Sequence, residues 1–306
     1  MGTGEGPQIS ELRELIARWT PGDGYHQTAI SSLYLIRYSC SSTPESQILS
    51  PSFGICAQGH GEIVLGEEIY SFAAGDHRVN SVELPISSRI LDATSAKPCL
   101  GLRLCFDPAG IAPLIEEARL TAPPDCPSER GLYVSPTPPA LLDAVVRLVR
   151  LLLSPVEIPV LAQMIEREIL FRLLLEKGSA VLYRMAQAES QPQRIAVAIV
   201  WLRKHLHEAF RIDDLARQAG MSASSFHQWF RQITGMSPLQ YQKQLRLQEA
   251  RSILRNERKD VGTVSRCVGY ASSSQFSREY SRLFGTPPVS EISKGNSPKA
   301  GPDSAV

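Results

Sequence analysis

The chain has 306 residues, 43% of them hydrophobic, which suffices for the cores of two ordinary domains and excludes a wholly disordered protein. Its net charge of +1 is unevenly distributed, since residues 1–190 carry −7 and residues 191–306 carry +8. The basic half indicates a polyanionic partner. No apolar run of about 18 residues is free of charge, so we predict no membrane helix. The start of the sequence does not resemble a signal peptide, so we do not expect secretion.

The first pattern along the chain is a helix over 9–19, which ends at the Pro21–Gly24 turn. Residues 28–107 then change to short apolar runs broken by turns such as 41–45. Many short strands at such spacing predict a sandwich or barrel. The predicted strands lie near 33–38, 53–58, 63–65, 68–73, 79–83, 89–93 and 100–106.

Pro108 ends the strand region, a short helix is predicted over 111–120, and a Pro- and Ser-rich loop over 121–139. Two helices follow at 141–153 and 160–175. We expect the broad apolar faces of these helices to pack on their own domain. The open alternative is that they pack on a second copy of the chain and form a homodimer. The polar segment 187–193, which contains Pro192, predicts the domain boundary.

Six scattered cysteines form no C-x-x-C pair and have no histidine at metal-ligand spacing. We therefore expect reduced thiols, mostly buried, and neither a metal site nor a cofactor. A thiol that senses oxidants or electrophiles is the open alternative, since reactivity depends on surroundings that a sequence does not show. These cysteines are Cys40, Cys56, Cys99, Cys105, Cys126 and Cys267.

The C-terminal half contains an internal repeat. Each copy predicts a helix, a sharp turn at Gly220 or Gly269, and a second helix with a buried aromatic face. A plain helical repeat protein is the alternative, but solenoids usually need three or more repeats. At an offset of 50 residues, Phe226, Phe230, Gly235 and Pro238 recur as Phe276, Tyr280, Gly285 and Pro288.

The second helix of each copy exposes residue types that suit the DNA major groove. Gln can pair bidentately with adenine and Arg with guanine, while small side chains let the backbone approach closely. The helix predicted over 238–254 would span about 25 Å, which could place both recognition helices in grooves ~34 Å apart. The predicted DNA contacts are Ser222, Ala223, Ser224, His227, Gln228, Arg231, Ser273, Ser274, Gln275, Ser277, Arg278 and Arg282.

The same half carries an ordered set of motifs: Ile212-Asp-Asp-Leu-Ala-Arg-Gln-Ala-Gly-Met-Ser222, Phe230, Gly235-Met-Ser-Pro238, Arg246-Leu-x-x-Ala250, Gly269-Tyr, Gln275-Phe276-Ser-Arg278 and Phe284-Gly-x-Pro-Pro288. Over residues 194–292 they resemble the AraC/XylS family of bacterial transcription regulators. The resemblance implies that the polar residues of 224–228 and 273–278 face bases or phosphates. One departure is Ser265 with Arg266-Cys267, where the family commonly has apolar residues, so we expect a weaker second unit.

The N-terminal half resembles a cupin-type effector domain of one AraC subgroup. That resemblance implies a β-barrel with a small-molecule or regulatory role, followed by helices that dimerise. We expect Cys56, Tyr70 and Cys105 to contact the ligand. The matching segments are Pro51-Ser52-Phe53, Gln58-Gly59, Leu65-Gly66, Ala74-Gly75-Asp76, Val82-Glu83-Leu84-Pro85 and Leu100-Gly-Leu-Arg-Leu104.

Two other function classes stay open. A cupin barrel can be a metal-dependent enzyme, here fused to a DNA-binding module, with His60 and His77 as ligands. However, such sites need about three converging ligands, and the predicted barrel has no His-x-His pair with a following Glu at ligand spacing. The sequence also has no P-loop or nucleophile elbow. A non-specific architectural DNA binder is the third class, which equal affinity for random and genomic fragments would indicate.

We therefore expect a two-domain α and β protein. Residues 1–187 form a cupin-like effector and dimerisation domain (barrel about 25–107, helices about 141–187), 188–193 a linker, 194–293 two tandem helix-turn-helix units joined by a long helix, and 294–306 a disordered tail. The expected function is a non-enzymatic, cytoplasmic, nucleoid-associated bacterial transcription regulator. Its expected partners are double-stranded DNA, a small organic effector and, for an activator, RNA polymerase, with no membrane partner.

Overall fold

The computed structural model describes residues 6–122, 130–186, 190–257 and 259–293. Cys126 and the tail predicted over 294–306 lie outside these ranges. Within them, no helix is both long and apolar enough to cross a bilayer. The strands in chain order are β1 (Gly24–Gln27), β2 (Leu33–Tyr38), β3 (Glu45–Leu49), β4 (Ser52–Gln58), β5 (His60–Leu65), β6 (Glu68–Ala73), β7 (Asp76–Asn80), β8 (Leu84–Leu91), β9 (Cys99–Cys105) and β10 (Leu132–Pro136).

In the described residues the strands form two antiparallel sheets. One has the order β1-β2-β9-β4-β7-β10 and the other β3-β8-β5-β6. Side-chain alternation in β9 explains the layering, because Leu100, Leu102 and Leu104 enter the core shared with the helices, whereas Cys99 packs with Cys56 in a separate cluster. The expected cupin-like barrel is confirmed in this pair of facing sheets.

Helices cover the outer face of the larger sheet and form the C-terminal half. Leu12 and Ile16 pack with Phe53, Val145 and Ile169 in one large core. The α-helices are α1 (Pro7–Trp19), α2 (Ile111–Glu117), α3 (Pro139–Arg150), α4 (Ile158–Leu174), α5 (Ala180–Ala186), α6 (Gln191–Lys204), α7 (Ile212–Gln218), α8 (Ala223–Thr234), α9 (Pro238–Asn256), α10 (Val261–Cys267), α11 (Ser273–Phe284) and α12 (Val289–Ser293).

Several predicted boundaries were wrong. The strand expected over 79–83 lies at Asp76–Asn80, and the one expected over 89–93 begins at Leu84. Strands β1, β3 and β10 were not predicted, because each is an edge strand with few buried residues. The loop predicted over 121–139 contains β10, whose terminal Pro136 is tolerated because an edge strand need not donate every ladder hydrogen bond.

The linker predicted over 188–193 overlaps the first turn of α6. Pro192 lies at the start of this helix, and the Ser190 side chain caps it by accepting a hydrogen bond from the Gln193 amide. Proline is favoured in a first helical turn because the missing N–H would have no intrahelical partner there. It was therefore wrong to take Pro192 as a mark of a linker.

The C-terminal half packs directly on one end of the barrel. A second buried cluster contains Leu65 and Leu132 of the sheets together with Phe226, Phe230 and Tyr241 of the helices. At its edge the backbones of Gly66 and Gly235 meet, and a Cβ on Gly66 would lie 2.5 Å from the Gly235 oxygen. Both residues have positive φ, so glycine satisfies the conformation and the close approach together.

Candidate nucleic-acid interface and effector cavity

The first helix-turn-helix unit consists of α7, a turn and α8. Gly220 makes the turn with φ +64°, and Ser222 caps α8 by accepting a hydrogen bond from the Ser225 amide at 3.3 Å. Gly235 ends α8 in the left-handed conformation with φ +76°. These are the positions that the repeat predicted, because a cap and a left-handed glycine each satisfy backbone groups at a helix end.

The second unit, α10 with α11, repeats the first in geometry. The ring centroids of Phe276 and Tyr280 lie 5.5 Å apart at 53°, and those of Phe226 and Phe230 lie 5.5 Å apart at 51°. All four side chains are fully buried. The predicted internal repeat is therefore a repeat in structure, built on equivalent aromatic pairs that hold each recognition helix.

The second unit has polar residues at 265–267, where the family commonly has apolar ones, and the structure accommodates them. Ser265 is fully buried, and its hydroxyl bonds the Gly262 carbonyl and the Ser273 hydroxyl, both at 2.9 Å. A buried hydroxyl that keeps its partners avoids the desolvation cost of an unpaired polar atom. Arg266 and Cys267 are exposed, so they leave the core of this unit intact.

The predicted DNA contacts lie along the two recognition helices. In α8 and its cap, Ala223 is half-buried and the other predicted residues are exposed; in α11, Ser277 is half-buried and the others are exposed. The exposed residues are Ser222, Ser224, His227, Gln228, Arg231, Ser273, Ser274, Gln275, Arg278 and Arg282.

One of these residues is held by a local network. Gln275 donates to Glu279 at 3.0 Å, and Glu279 also accepts from Lys243 at 3.0 Å and from Tyr270 at 2.8 Å. Burial opposes ionisation of Glu279, but these hydrogen bonds outweigh it and lower the pKa of this carboxyl. The bond to Glu279 uses one of the two N–H donors of the Gln275 amide and orients its side chain.

The connecting helix α9 has 19 residues and is about 28 Å long. Three arginines of α9 are engaged within the protein. Arg246 donates to the carbonyls of Leu206 at 2.7 Å and Gly269 at 3.0 Å, while Arg251 and Arg255 flank the fully buried Glu291 of α12. Arg246 thus links the segment before the first unit to the turn of the second, and Arg251 and Arg255 fix α12 on α9, roles that no local sequence pattern revealed.

A cavity of about 100 Å³ lies between the two sheets of the barrel. Gly54 and Gly101 are part of its lining, and the Arg78 guanidinium lies 3.0 Å from where a Cβ on Gly54 would stand. The wall is mixed in character. Its apolar members include Ile36, Leu49, Ile63, Phe72, Ile86 and Ile90, and its polar members include Tyr25, Gln47, Asp76, Arg78 and Ser88.

Of the three predicted ligand residues, Cys56 lines this cavity and the other two do not. Tyr70 turns its hydroxyl to Glu68 at 2.6 Å on an edge strand. Cys105 lies at the end of β9 opposite Ser52, beyond the part of the strand that lines the cavity. The sequence indicated the strands but not which of their ends encloses the cavity.

The two candidate metal histidines lie in different surroundings. His60 pairs with Asp92 at 3.2 Å near the surface, whereas His77 is buried between the rings of Phe53 and Tyr133. Burial lowers the pKa of His77 to about 4. Among the described residues, no group of three His, Cys, Asp and Glu side chains could hold a metal ion.

Comparison with known proteins settles the family. A family model described as the AraC-type transcriptional regulator N-terminus matches residues 29–181, half of the chain. The chain belongs to the AraC-type transcriptional regulators. A second model, described as a helix-turn-helix domain, matches residues 215–290, which include both recognition helices of this AraC-type chain.

Curated relatives agree with this assignment. The HTH-type transcriptional activator RhaS of Escherichia coli (strain SE11) is 32% identical over 125 residues, 40% of this AraC-type chain and 44% of that protein. The chain therefore spans less than half the length of the curated relatives it matches.

Solved structures share the fold of this AraC-type chain. An apo form of ToxT with one substituted residue, from Vibrio cholerae strain SCE256, has a TM-score of 0.56 at 8% identity over 89% of this chain and 98% of its own. Unsaturated fatty acid bound wild-type ToxT from the same strain has a TM-score of 0.54 at 10% identity, over 85% and 93%. At such low identity these two likenesses show a shared fold.

The contacts between the domains of this AraC-type chain were not predicted from the sequence. Arg130 donates to the carbonyls of Arg231 at 2.8 Å and Gln232 at 3.0 Å, and it pairs with Glu68 at 2.8 Å. The Gly131 amide donates to the Ile233 carbonyl at 3.1 Å. The barrel thus satisfies the last carbonyls of α8, and no signal in the sequence joins residues 101 positions apart.

Proposed function

We propose that this protein is a sequence-specific, DNA-binding transcription regulator in which a small effector in the barrel controls the first helix-turn-helix unit. One observation carries the proposal. Leu49, Ile63 and Ile86 line the cavity and belong to the same buried cluster as Phe226 and Phe230. A change in the cavity wall would reach the recognition helix through one continuous core, since close-packed interiors transmit strain.

In this proposal the twelve predicted contact residues bind DNA in two classes. Gln228 and Arg278 are exposed near the middle of their helices, where they can reach base edges. Arg231 and Arg282 lie one turn further along and would bind phosphates. The net charge of +8 over residues 191–306 supports this division, because phosphate contacts dominate affinity.

The effector that we propose is small and amphipathic. A volume of about 100 Å³ is below the ~300–1,000 Å³ of pockets for drug-sized ligands, so the closed barrel would admit only a compact molecule. Apolar residues such as Phe72 and Ile90 would hold its body, and Arg78, Asp76 or Gln47 would bind a polar end. Cys56 belongs to this wall, whereas Tyr70 and Cys105 lie elsewhere.

Two polar contacts support transmission of the effector signal to DNA. Tyr241, fully buried in α9, donates its hydroxyl to the Glu83 carbonyl at 3.0 Å, and Arg203 of α6 forms an ion pair with the Glu83 carboxylate. Together with the hydrogen bonds from Arg130 to the end of α8, they tie the barrel to three helices of the DNA-binding half. The residue after Glu83 begins β8, which contributes Ile86 to the cavity wall.

The test combines selection and titration. Genomic fragments retained by the full chain are sequenced, and affinity for the recovered site and for a scrambled duplex is measured by fluorescence anisotropy across salt concentrations. We expect log affinity to fall linearly with log salt and a preference of about 10³ or more for the selected site. Equal affinity for both duplexes would contradict the proposal and favour an architectural DNA binder.

The effector is tested on the same duplex. Compounds that raise the melting temperature of the protein are expected to change its affinity for the selected site. Arg78→Met should weaken both responses, whereas the matched control Arg89→Met, on an exposed ion pair with Glu62, should keep them. Ligands that stabilise the protein without any change in DNA affinity would refute the coupling.

We further propose activation, because the matching relatives are named as transcriptional activators. An activator must recruit or contact RNA polymerase, so that enzyme would be a partner, and the regulator would act in the cytoplasm at the nucleoid. Transcription of a selected promoter by purified polymerase should rise when the protein is added. A fall in transcript would instead identify a repressor.

We also propose a homodimer formed through α4. Val156, Val160 and Met164 have exposed fractions of 88%, 66% and 63%, a high exposure for neighbouring large apolar side chains. Arg150 and Glu157 border the groove beside this strip. A patch with both charge signs is complementary to itself about a two-fold axis, which favours a second copy of the chain as its partner.

A further inference from the structure

Two thiols inside the barrel have a chemistry that the function proposed above does not use. Cys56 on β4 and Cys99 on β9 are buried, with exposed fractions of 7% and 6%, and both line the cavity. They form a small buried cluster with Ala93. No comparison or motif assigns a role to this pair.

The backbone holds the two sulfurs beside one glycine. Cys56 lies opposite Gly101 on the neighbouring strand, and the ladder shifts at this point, so that Cys99 is brought towards Gly59. The Cys99 sulfur lies 3.1 Å from where a Cβ on Gly59 would stand, and the Cys56 sulfur contacts the Gly59 carbonyl oxygen at 3.5 Å. Any side chain at position 59 would displace a thiol.

The two thiols are electronically unequal. The neighbouring Cys56 side chain lowers the pKa of Cys99 against the opposing effect of burial. The same contact, together with burial, raises the pKa of Cys56. A thiolate is the nucleophilic form of cysteine, so Cys99 is the thiol that would react first and Cys56 the one that would resolve the product.

We propose that Cys56 and Cys99 are a reversible oxidation site, in which hydrogen peroxide converts the two thiols into a disulfide. The Cys99 sulfur attacks peroxide and breaks its O–O bond, which gives a sulfenic acid and one water. The Cys56 sulfur then attacks the sulfenic sulfur, the S–S bond forms and a second water leaves. Two electrons pass from the sulfurs to peroxide, and both thiol protons end in water.

The cavity gives the oxidant its place. About 100 Å³ exceeds the ~10–15 Å³ that one water needs, so a molecule as small as peroxide fits beside the pair. The disulfide would tie β4 to β9 next to Phe72 on the cavity wall. Any effect on DNA binding rests on the proposed function, but the bond itself does not.

The experiment maps the thiols of the full chain. Reduced protein is treated with graded hydrogen peroxide, quenched with catalase, denatured and alkylated, and the unreduced digest is analysed by mass spectrometry. We expect a Cys56–Cys99 linked peptide that disappears on reduction. Cys40 and Cys267, which are exposed, serve as internal references. Both buried cysteines remaining alkylatable at peroxide levels that oxidise Cys267 would overturn the proposal.

Variants establish the order of attack. Cys56→Ser should leave Cys99 as a sulfenic acid that dimedone traps, while Cys99→Ser should leave Cys56 alkylatable; the matched control Cys267→Ser should retain the link. No dimedone adduct on Cys99 in folded Cys56→Ser protein would overturn the assignment of Cys99 as the attacking thiol. If the serine variants misfold by circular dichroism, the wild-type map alone decides. DNA binding of the reduced protein is measured separately, so its failure leaves the thiol result intact.

Discussion

At the scale of single residues, two side chains carry most of the expected base recognition. Gln228 and Arg278 are exposed on α8 and α11, and each sits on a helix fixed by a buried aromatic pair. Their residue types are those that bind adenine and guanine bidentately. Because the scaffold is rigid and the side chains are free to extend, truncation should change DNA affinity without changing the fold.

Gln228→Ala and Arg278→Ala should each weaken binding to the selected site by ~1–3 kcal/mol and relax preference at one position. Fluorescence anisotropy on the selected duplex and its single-base variants measures both effects. Arg18→Ala, an exposed arginine at the end of α1, is the matched control and should bind as the wild type does. Unchanged affinity in both test variants would refute the assigned recognition faces.

A second prediction at this scale concerns His77. Burial lowers its pKa to about 4 from an ordinary value of 6.5, so the unfolded chain binds the proton more readily than the native protein. Stability contributed by neutral His77 is present above pH 6.5 and is lost as pH falls towards 4. A shift of this size corresponds to about 3 kcal/mol.

Urea unfolding between pH 7 and pH 4 measures that loss. In His77→Gln the free energy of unfolding should fall less steeply over this range, since the variant has no group to protonate at the site. His207→Gln, at an exposed histidine, is the control and should keep the wild-type slope. Identical slopes in all three proteins would show that His77 does not set the acid sensitivity.

At the scale of elements, the recognition helix α8 is completed by the other domain. Its last carbonyls accept from Arg130 and Gly131, and a cation at a helix C-terminus is also favoured by the helix dipole. The same guanidinium lowers the pKa of Glu68 on β6. The end of α8 is therefore held by the barrel domain.

Arg130→Ala should release this end of α8. Hydrogen bonds from a charged group contribute ~1.5–3 kcal/mol, and partial exposure of Arg130 reduces this, so we expect a local loss of about 1 kcal/mol. Hydrogen exchange of the amides in α8 should accelerate at its C-terminal turn, while those of α11 stay unchanged. Arg89→Ala, which removes an ion pair elsewhere on the barrel, should leave both helices as they are.

At the scale of the whole molecule, two surfaces of opposite character lie on different domains. The recognition helices are polar and basic, whereas α4 exposes a strip of large apolar side chains. A dimer formed through α4 would present four recognition helices instead of two. Dimeric DNA-binding proteins commonly bind two half-sites, so the selected DNA site should then contain a repeated sequence element.

Val160→Glu with Met164→Glu should convert the dimer into a monomer, because two buried charges without partners oppose association. Sedimentation equilibrium measures the mass, and Val197→Glu, an exposed valine on α6, is the control that should leave it unchanged. A wild-type protein that sediments as a monomer at every concentration would contradict the proposed interface.

The sequence by itself determined the elements that depend on interactions between residues close together in the chain. The aromatic pairs, the cap at Ser222 and the turn at Gly220 each act within a few residues, so the repeat and both recognition helices could be predicted. The strands with regular alternation, such as Leu33–Tyr38 and Glu68–Ala73, were predicted with their observed bounds. Periodic burial leaves a signal that needs no knowledge of the partner.

Only the tertiary structure decided the contacts between distant residues. The edge strands β3 and β10 are specified by the strands beside them, and the cavity wall is specified by which strand ends face each other. The hydrogen bonds from Arg130 to α8 depend on how the two domains dock. The pairing of Cys56 with Cys99 belongs here too, because 43 positions separate them in the chain and one shifted ladder joins them. Such contacts form when distant parts of the chain close into a loop and pack together. No short window of sequence encodes them.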